Sequence, residues 1–236
     1  MTAVQTARWN PLQTTLYSTR VAVQPIVNAG DLSVHGEEVL LRPPQLGPEE
    51  FIARLSPSRR VEFERAHLRR SIQLMRSGHP NLQFNLTSLS LPDACEHLPL
   101  LTLQYGIDPA QLTLELTEHD YDAGALLELQ QHGFKFVIDD LGNDHMRLKH
   151  LYEWPLHGVK LDRCMIQDPR ARRMLGHLTG MCLDLGLDVT IEGIETPDHL
   201  DHARALGATR LQGYLLGRPV IVDHPITPWQ RLLQRN

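Results

Sequence analysis

Residues 136–143, FVIDDLGN, place two adjacent carboxylates, Asp139 and Asp140, at the end of a short apolar run and just before Gly142. A run of this kind reads as a buried strand. Neighbouring carboxylates repel, so without a cation between them at least one holds its proton above the ordinary carboxylate range. Taken alone, the pair also fits a solvated turn or a helix cap. Polar groups on the other predicted strands decide between the readings: Glu38, Asn85, Glu115, Lys160, Glu192 and Gln212. Core strands should be apolar, and buried charge must be paired or bound to a metal. Seven strands, each with a polar group, describe a built polar mouth.

The donors in this set are carboxylates and amides, with no histidine or cysteine. Hard oxygen donors suit Mg²⁺ or Mn²⁺ and not a zinc site. The acids carry more charge than one divalent ion neutralises. Two ions, with Lys160 as a further cation, balance it better. Two metals bridged by carboxylates suit phosphoester hydrolysis, because they generate hydroxide at neutral pH and stabilise the attacking and leaving oxygens.

The elements that carry these residues follow from periodicity and turn residues. Strands are expected at Arg20–Val27, Val34–Arg42, Leu82–Thr87, Leu112–Glu118, Lys135–Asp140, Gly158–Asp162, Asp188–Glu192 and Arg210–Leu215. The link between the first two, around Asn28-Ala29-Gly30-Asp31, is too short for a parallel crossover, so they form an antiparallel hairpin. Helices are expected at Pro48–Leu55, Ser58–Arg76, Asp93–Tyr105, Ala123–His132, His145–Trp154, Arg170–Leu185, Pro197–Leu206 and Pro228–Gln234. Regular β/α alternation over this length makes an α/β fold, a TIM-like (β/α)8 barrel with an antiparallel first strand. Residues 1–18 read as an irregular lead-in and 19–236 as one barrel domain. An open doubly wound sheet is the alternative, but no GxGxxG turn supports nucleotide binding of that kind. In a barrel the mouth lies at the C-terminal strand ends, where these polar residues fall.

Composition removes other classes. At a net charge of −5 and pI near 6.2 the chain lacks the basic balance of a polymeric nucleic-acid binder. No apolar run reaches the ~18 residues of a membrane span, and the N-terminus has no secretory h-region. Cys95, Cys164 and Cys182 are odd in number and lack CxxC spacing, so neither a disulfide framework nor zinc is indicated. The cytoplasm is the expected compartment. His199 and His202, three apart, read as solvated histidines, and Arg59-Arg60, Arg69-Arg70 and Arg172-Arg173 as solvated faces of amphipathic helices.

Eight short segments, in order, resemble the EAL-domain family: Gln24-Pro25-Ile26, Glu38-Val39-Leu40-Leu41-Arg42, Asn85-Leu86-Thr87, Glu115-Leu116-Thr117-Glu118, Ile138-Asp139-Asp140-Leu141-Gly142, Lys160-Leu161-Asp162-Arg163, Glu192-Gly193-Ile194-Glu195-Thr196 and Gln212-Gly213-Tyr214. The resemblance implies a TIM-like barrel with an antiparallel first strand. It also implies hydrolysis of cyclic di-GMP to linear pGpG with Mg²⁺ or Mn²⁺, or, in members without activity, reception of the same ligand. By the same resemblance Glu38, Asn85, Glu115, Asp139 and Asp140 are metal ligands. Lys160 orients the catalytic water, Glu192 is a base or metal-water ligand, and Gln212 belongs to the water and metal site. Gln24 and Arg42 contact the dinucleotide, and Glu118 braces the loop after the Asp pair. Val39 stands in place of the signature alanine and Leu141 in place of phenylalanine. Residues 143–147, NDHMR, stand where the family has a Thr-Gly-Tyr-Ser-Ser loop that helps seat the second metal and supports a homodimer.

Overall fold

In the computed structural model, residues 19–117, 120–142 and 148–222 are described. The lead-in 1–18, Glu118, the 143–147 loop and the closing helix expected at Pro228–Gln234 lie outside them. The chain starts with β1 (Arg20–Asn28) and β2 (Val34–Arg42), antiparallel with Gln24 opposite Glu38. The connecting turn is closed by Asn28 N–H donating to Ser33 O at 2.9 Å.

Helices α1 (Pro48–Ala53) and α2 (Pro57–Arg76) follow, then β3 (Asn81–Leu86), α3 (Leu91–Tyr105), β4 (Leu112–Leu116), α4 (Ala123–Gln131) and β5 (Lys135–Leu141). Next come α5 (His150–Glu153), β6 (Gly158–Leu161), α6 (Arg163–Gln167), α7 (Arg172–Asp184), β7 (Asp188–Ile191), α8 (Pro197–Ala205), β8 (Arg210–Leu211) and β9 (Val220–Val222). From β2 to β8 each strand pairs in parallel with the next. β1 closes the barrel, antiparallel to both β2 and β8. The expected barrel and its reversed first strand are therefore both present.

Alternation along the strands divides the side chains. Leu82, Phe84 and Leu86 of β3, Leu112, Leu114 and Leu116 of β4, and Phe136 and Ile138 of β5 are buried against the helical layer and form one core. The intervening residues, among them Gln83, Asn85 and Glu115, point to the other face, the barrel axis. A second, smaller cluster joins Phe51 of α1, Leu55 and Phe63 of α2 outside that core. Helix starts are capped as their residue types predict: Asp122 accepts from Ala125 N at 2.8 Å and Thr196 from His199 N at 3.2 Å.

Three local expectations need correction. The strand expected at Arg210–Leu215 ends at Leu211. Gly213 lies so close to Ile194 that a Cβ would come 2.2 Å from that residue's backbone N and O, and the chain then turns with Gly217 N donating to Gly213 O. A short helix, α6, intervenes before α7, begun by Asp162, whose Oδ1 accepts Cys164 N–H at 2.7 Å. β9 adds a ninth strand, paired antiparallel with Val21–Val23 of β1. No described helix is long and apolar enough to cross a membrane.

Candidate active site

Four strands bring a carboxylate to one ammonium. Lys160 Nζ lies 2.9 Å from Asp139 Oδ1 and from Glu192 Oε1, 3.1 Å from Glu115 Oε1 and 3.4 Å from Glu38 Oε2. The side chain of Lys160 is 1% exposed and that of Glu115 is fully buried. Two amides extend the cluster. Gln212 Nε2 donates to Glu38 Oε2 at 2.6 Å, and Asn85 Nδ2 donates to Glu115 Oε2 at 2.9 Å. Asn85 and Glu115 are direct neighbours in the β3–β4 register, which is why the amide reaches the acid.

The Asp pair depends on an irregularity in β5. Successive strand side chains point to opposite faces, so a regular strand would send only one of two adjacent acids to the mouth. Ile138 pairs with Val159 and Leu141 with Leu161, so β5 carries one residue more than β6 across this interval. Asp140 takes up the difference in the left-handed region, with φ 54°. Oxygens of Asp139, Asp140 and Glu192 then lie within 4.8 Å of one another, and so do those of Glu38, Glu115 and Asp139. Asp139 belongs to both groups.

Burial and crowding displace the protonation equilibria here. Burial, then the charge of Asp139 and of Asp162, pushes Asp140 up to about 7. Burial, opposed by Lys160 and reinforced by Asp139 and Glu38, pushes Glu192 up to about 8. Glu115 is raised well above the carboxylate range, first by burial and then by the surrounding acids. Burial disfavours the charged form of Lys160, but the four carboxylates outweigh it and hold the ammonium well above the usual lysine range. Asp162, the cap of α6, is held low: burial opposes this, but the bonds from Cys164 and the proton of Asp140 prevail.

The donor set is oxygen throughout, and Glu115 Oε1 and Asp139 Oδ1 are buried against the Lys160 ammonium. Two clusters of hard donors sharing one acid fit divalent cations that prefer oxygen. The described residues therefore include an acidic centre able to hold metal.

A cleft of about 730 Å³ opens beside this centre, lined by Arg42, Asn85, Asp139 and Asp140 on the barrel side and by Ile52 and Phe63 on the helical side. Of the residues singled out from sequence, Glu38, Asn85, Glu115, Asp139, Asp140, Lys160, Glu192 and Gln212 come together at the mouth. Arg42 lines the cleft, with Nη1 donating to Leu41 O at 2.8 Å. Gln24 is buried and donates to Gly217 O at 3.0 Å.

Sequence reasoning passed over two cleft residues. Glu64 of α2 accepts from Thr87 Oγ1 at 2.9 Å, just past the strand end that carries Asn85. An acid in register with Leu68, Ser71 and Met75 on the buried face of α2 was the signal for it. Arg60 is the other, and its arginine pair disguised it as surface.

The sequence model described as "EAL domain" matches residues 12–219. The chain is 33% identical over 224 residues to "Cyclic di-GMP phosphodiesterase NbdA" of Pseudomonas aeruginosa, covering 84% of this chain and 28% of that protein. It is 27% identical over 231 residues to "Cyclic di-GMP phosphodiesterase PdeL" of Escherichia coli, covering 88% and 64%. The chain thus spans under two thirds of either relative. Among solved structures, "PaMucR Phosphodiesterase, c-di-GMP complex" superposes with a TM-score of 0.79 at 27% identity, covering 86% of this chain and 97% of that one. The manganese and cyclic di-GMP complex of Klebsiella pneumoniae BlrP1 gives a TM-score of 0.75 at 28% identity, covering 93% and 58%.

Proposed function

Since the chain belongs to the EAL domain family, we propose that it is a metal-dependent phosphodiesterase that hydrolyses cyclic di-GMP to linear pGpG. The observation that carries this reading is the convergence of Glu38, Glu115, Asp139 and Glu192 on Lys160, with Asp139 shared between two groups of oxygen donors. Glu38, Asn85, Glu115, Asp139 and Asp140 are the residues that would hold Mg²⁺ or Mn²⁺, two ions by charge balance. Bound there, such ions would supply Lewis acidity toward the phosphate and make water nucleophilic at neutral pH.

The chain's own groups do the rest. Lys160, held charged by its four acids, orients the attacking water with its N–H donors. Glu192, which burial holds protonated near neutrality until metal displaces its proton, would then stand as the carboxylate that accepts a proton from that water. Gln212 holds Glu38 in place through its 2.6 Å hydrogen bond. Arg42 presents a guanidinium to a phosphate, which it can clamp with two parallel bonds. Gln24, whose Nε2 donates to Gly217 O, would contact the dinucleotide. Glu118 would brace the loop after the Asp pair. We take residues 19–236 as one such domain, working in the cytoplasm as a homodimer.

One observation favours a second reading, a cyclic di-GMP receptor with little turnover: Lys160 by itself already pairs with four carboxylates. Chromatography separates the two. Purified protein incubated with cyclic di-GMP and Mn²⁺ or Mg²⁺ is expected to yield pGpG, and the Glu38→Ala control none. Intact substrate, with binding seen by calorimetry, would establish the receptor instead. Equal turnover by the Glu38→Ala control would remove the metal assignment.

A further inference from the structure

The cleft holds a guanidinium that none of the family segments quoted above includes. Arg60 stands in the first turn of α2 and lines the same cleft as Arg42 and Asp140. Its Nη2 donates to Ile52 O at 3.2 Å, which anchors the group to α1. Its Nε is buried and has no hydrogen-bond partner. Among the described residues no carboxylate pairs with it: Glu64, one turn along the helix, is engaged with Thr87. Arg60 is thus tethered at one nitrogen on the wall of the cleft, with the charge of Glu64 nearby but no carboxylate paired with it among the described residues.

Its surroundings select the ligand chemistry. Pro48, Ile52 and Phe63 line the cleft beside it, with Phe63 packed edge-on against Phe51. An apolar wall next to an anchored guanidinium suits a flat heteroaromatic ring carrying two adjacent acceptors. A phosphate would also attract the charge, but Arg42 and the acidic centre already serve that chemistry elsewhere in the cleft. Guanine offers O6 and N7, two acceptors that arginine bonds in parallel. Adenine offers N7 beside the N6 amino donor, which a guanidinium cannot satisfy.

We propose that Arg60 is a specificity-determining residue that reads the O6/N7 edge of a guanine base held on the α1–α2 wall. The inference rests on the reading of the cleft as a cyclic dinucleotide site. It assigns the choice of base to a residue of α2 and not to the barrel mouth.

Isothermal calorimetry with Ca²⁺ present, using cyclic di-GMP and cyclic di-AMP as probes, tests it. Wild type should bind cyclic di-GMP in preference. Arg60→Ala should weaken cyclic di-GMP about tenfold or more while leaving cyclic di-AMP nearly unchanged. Arg60→Gln keeps a donor for Ile52 O and should shift the preference toward cyclic di-AMP, because glutamine matches the N6/N7 pair of adenine. Thermal unfolding of both variants checks that the fold is kept, and Arg60→Gln carries the test if Arg60→Ala is unstable. Equal losses for both nucleotides would mean that Arg60 acts as a charge on phosphate, and unchanged cyclic di-GMP affinity would mean that it touches no ligand. Either result overturns the proposal and leaves the phosphodiesterase reading intact. Failure of the wild type to bind cyclic di-GMP would instead overturn that reading, and this proposal with it.

Discussion

The barrel mouth and the α1–α2 wall face the same cleft and are built on opposite terms. At the mouth, four carboxylates crowd one buried lysine, and Glu115, Asp140 and Glu192 are all driven toward their neutral forms. Such a cluster is costly to assemble without a cation, and the backbone of seven strands holds it in place. The wall is a small apolar cluster of Phe51, Leu55 and Phe63, with single charges at its margin. It is held by ordinary packing outside the main core. In the proposed reading, chemistry falls where the fold is crowded with charge and base recognition where packing is local.

The largest effect that should separate the two regions comes from Asp139→Asn. Asp139 is common to both donor groups, so the change weakens both at once. Turnover of cyclic di-GMP should fall by about 10³-fold or more, corresponding to several kcal/mol of lost charge stabilisation. The metal-free protein should be no less stable than wild type, because one of four mutually repelling acids has been made neutral. Turnover assays and thermal unfolding in a chelator check the pair of outcomes. A variant that loses stability and keeps turnover would show that Asp139 is structural.

The wall should give the reverse. Phe63→Ala removes a buried ring from a cluster outside the main core. It should destabilise the protein by about 3 kcal/mol, the low end for such changes because a small peripheral cluster can partly collapse. Mn²⁺ affinity, measured by calorimetry, should stay near the wild-type value. A large loss of metal affinity would mean that the mouth is not as independent of the wall as its strand-borne geometry implies.

A pH series sharpens the description of the mouth. Metal binding must displace protons from Asp140, near 7, and Glu192, near 8. Mn²⁺ affinity should therefore rise with pH up to about 8, by about tenfold per pH unit for each proton displaced. For the metal-free protein the sign is opposite. These carboxyls lie above their unfolded values, so between about pH 4 and 8 the folded state binds more protons than the unfolded one. Stability without metal should fall across that window and level off above it. Flat profiles by calorimetry and thermal unfolding would remove the picture of a mouth crowded with neutralised acids.

The same contrast explains what the sequence discloses. The mouth is legible because a charged residue within an apolar strand is conspicuous. Glu38, Glu115, Lys160 and Glu192 each interrupt such a run, and the fold brings them together. The hairpin is legible from the short link after Asn28. The way both members of the Asp pair reach the mouth is not, since it depends on an extra residue counted against β6, a tertiary register. α6 is missed because five residues carry too little periodicity; only the Asp162 cap marks it. Arg60 is missed for a related reason. An Arg-Arg pair on an amphipathic helix has the pattern of a solvated face, and only the placement of α1 against α2 turns one of the two into the cleft.

The two regions meet at one buried acid, and the smallest predicted effect tests how closely they are joined. Glu64 of α2 accepts from Thr87 Oγ1 at 2.9 Å and from Thr87 N at 3.3 Å, two residues beyond Asn85 on the barrel side. Burial raises its carboxyl above the ordinary range, against the pull of its hydrogen bonds from Ser90 and Thr87. Glu64→Gln keeps an acceptor for Thr87 and nearly the same volume, so stability should change by less than about 1 kcal/mol. Glu64→Leu leaves Thr87 without that acceptor and should cost about 1–3 kcal/mol. If the bond only ties helix to strand, Mn²⁺ affinity stays unchanged in both variants. If it also sets the position of Asn85, affinity falls in Glu64→Leu alone, by about tenfold, as outer supports of metal ligands do. The latter is expected here, because Asn85 in turn holds Glu115 through its 2.9 Å bond, so a displaced strand end would disturb two donors of the centre at once.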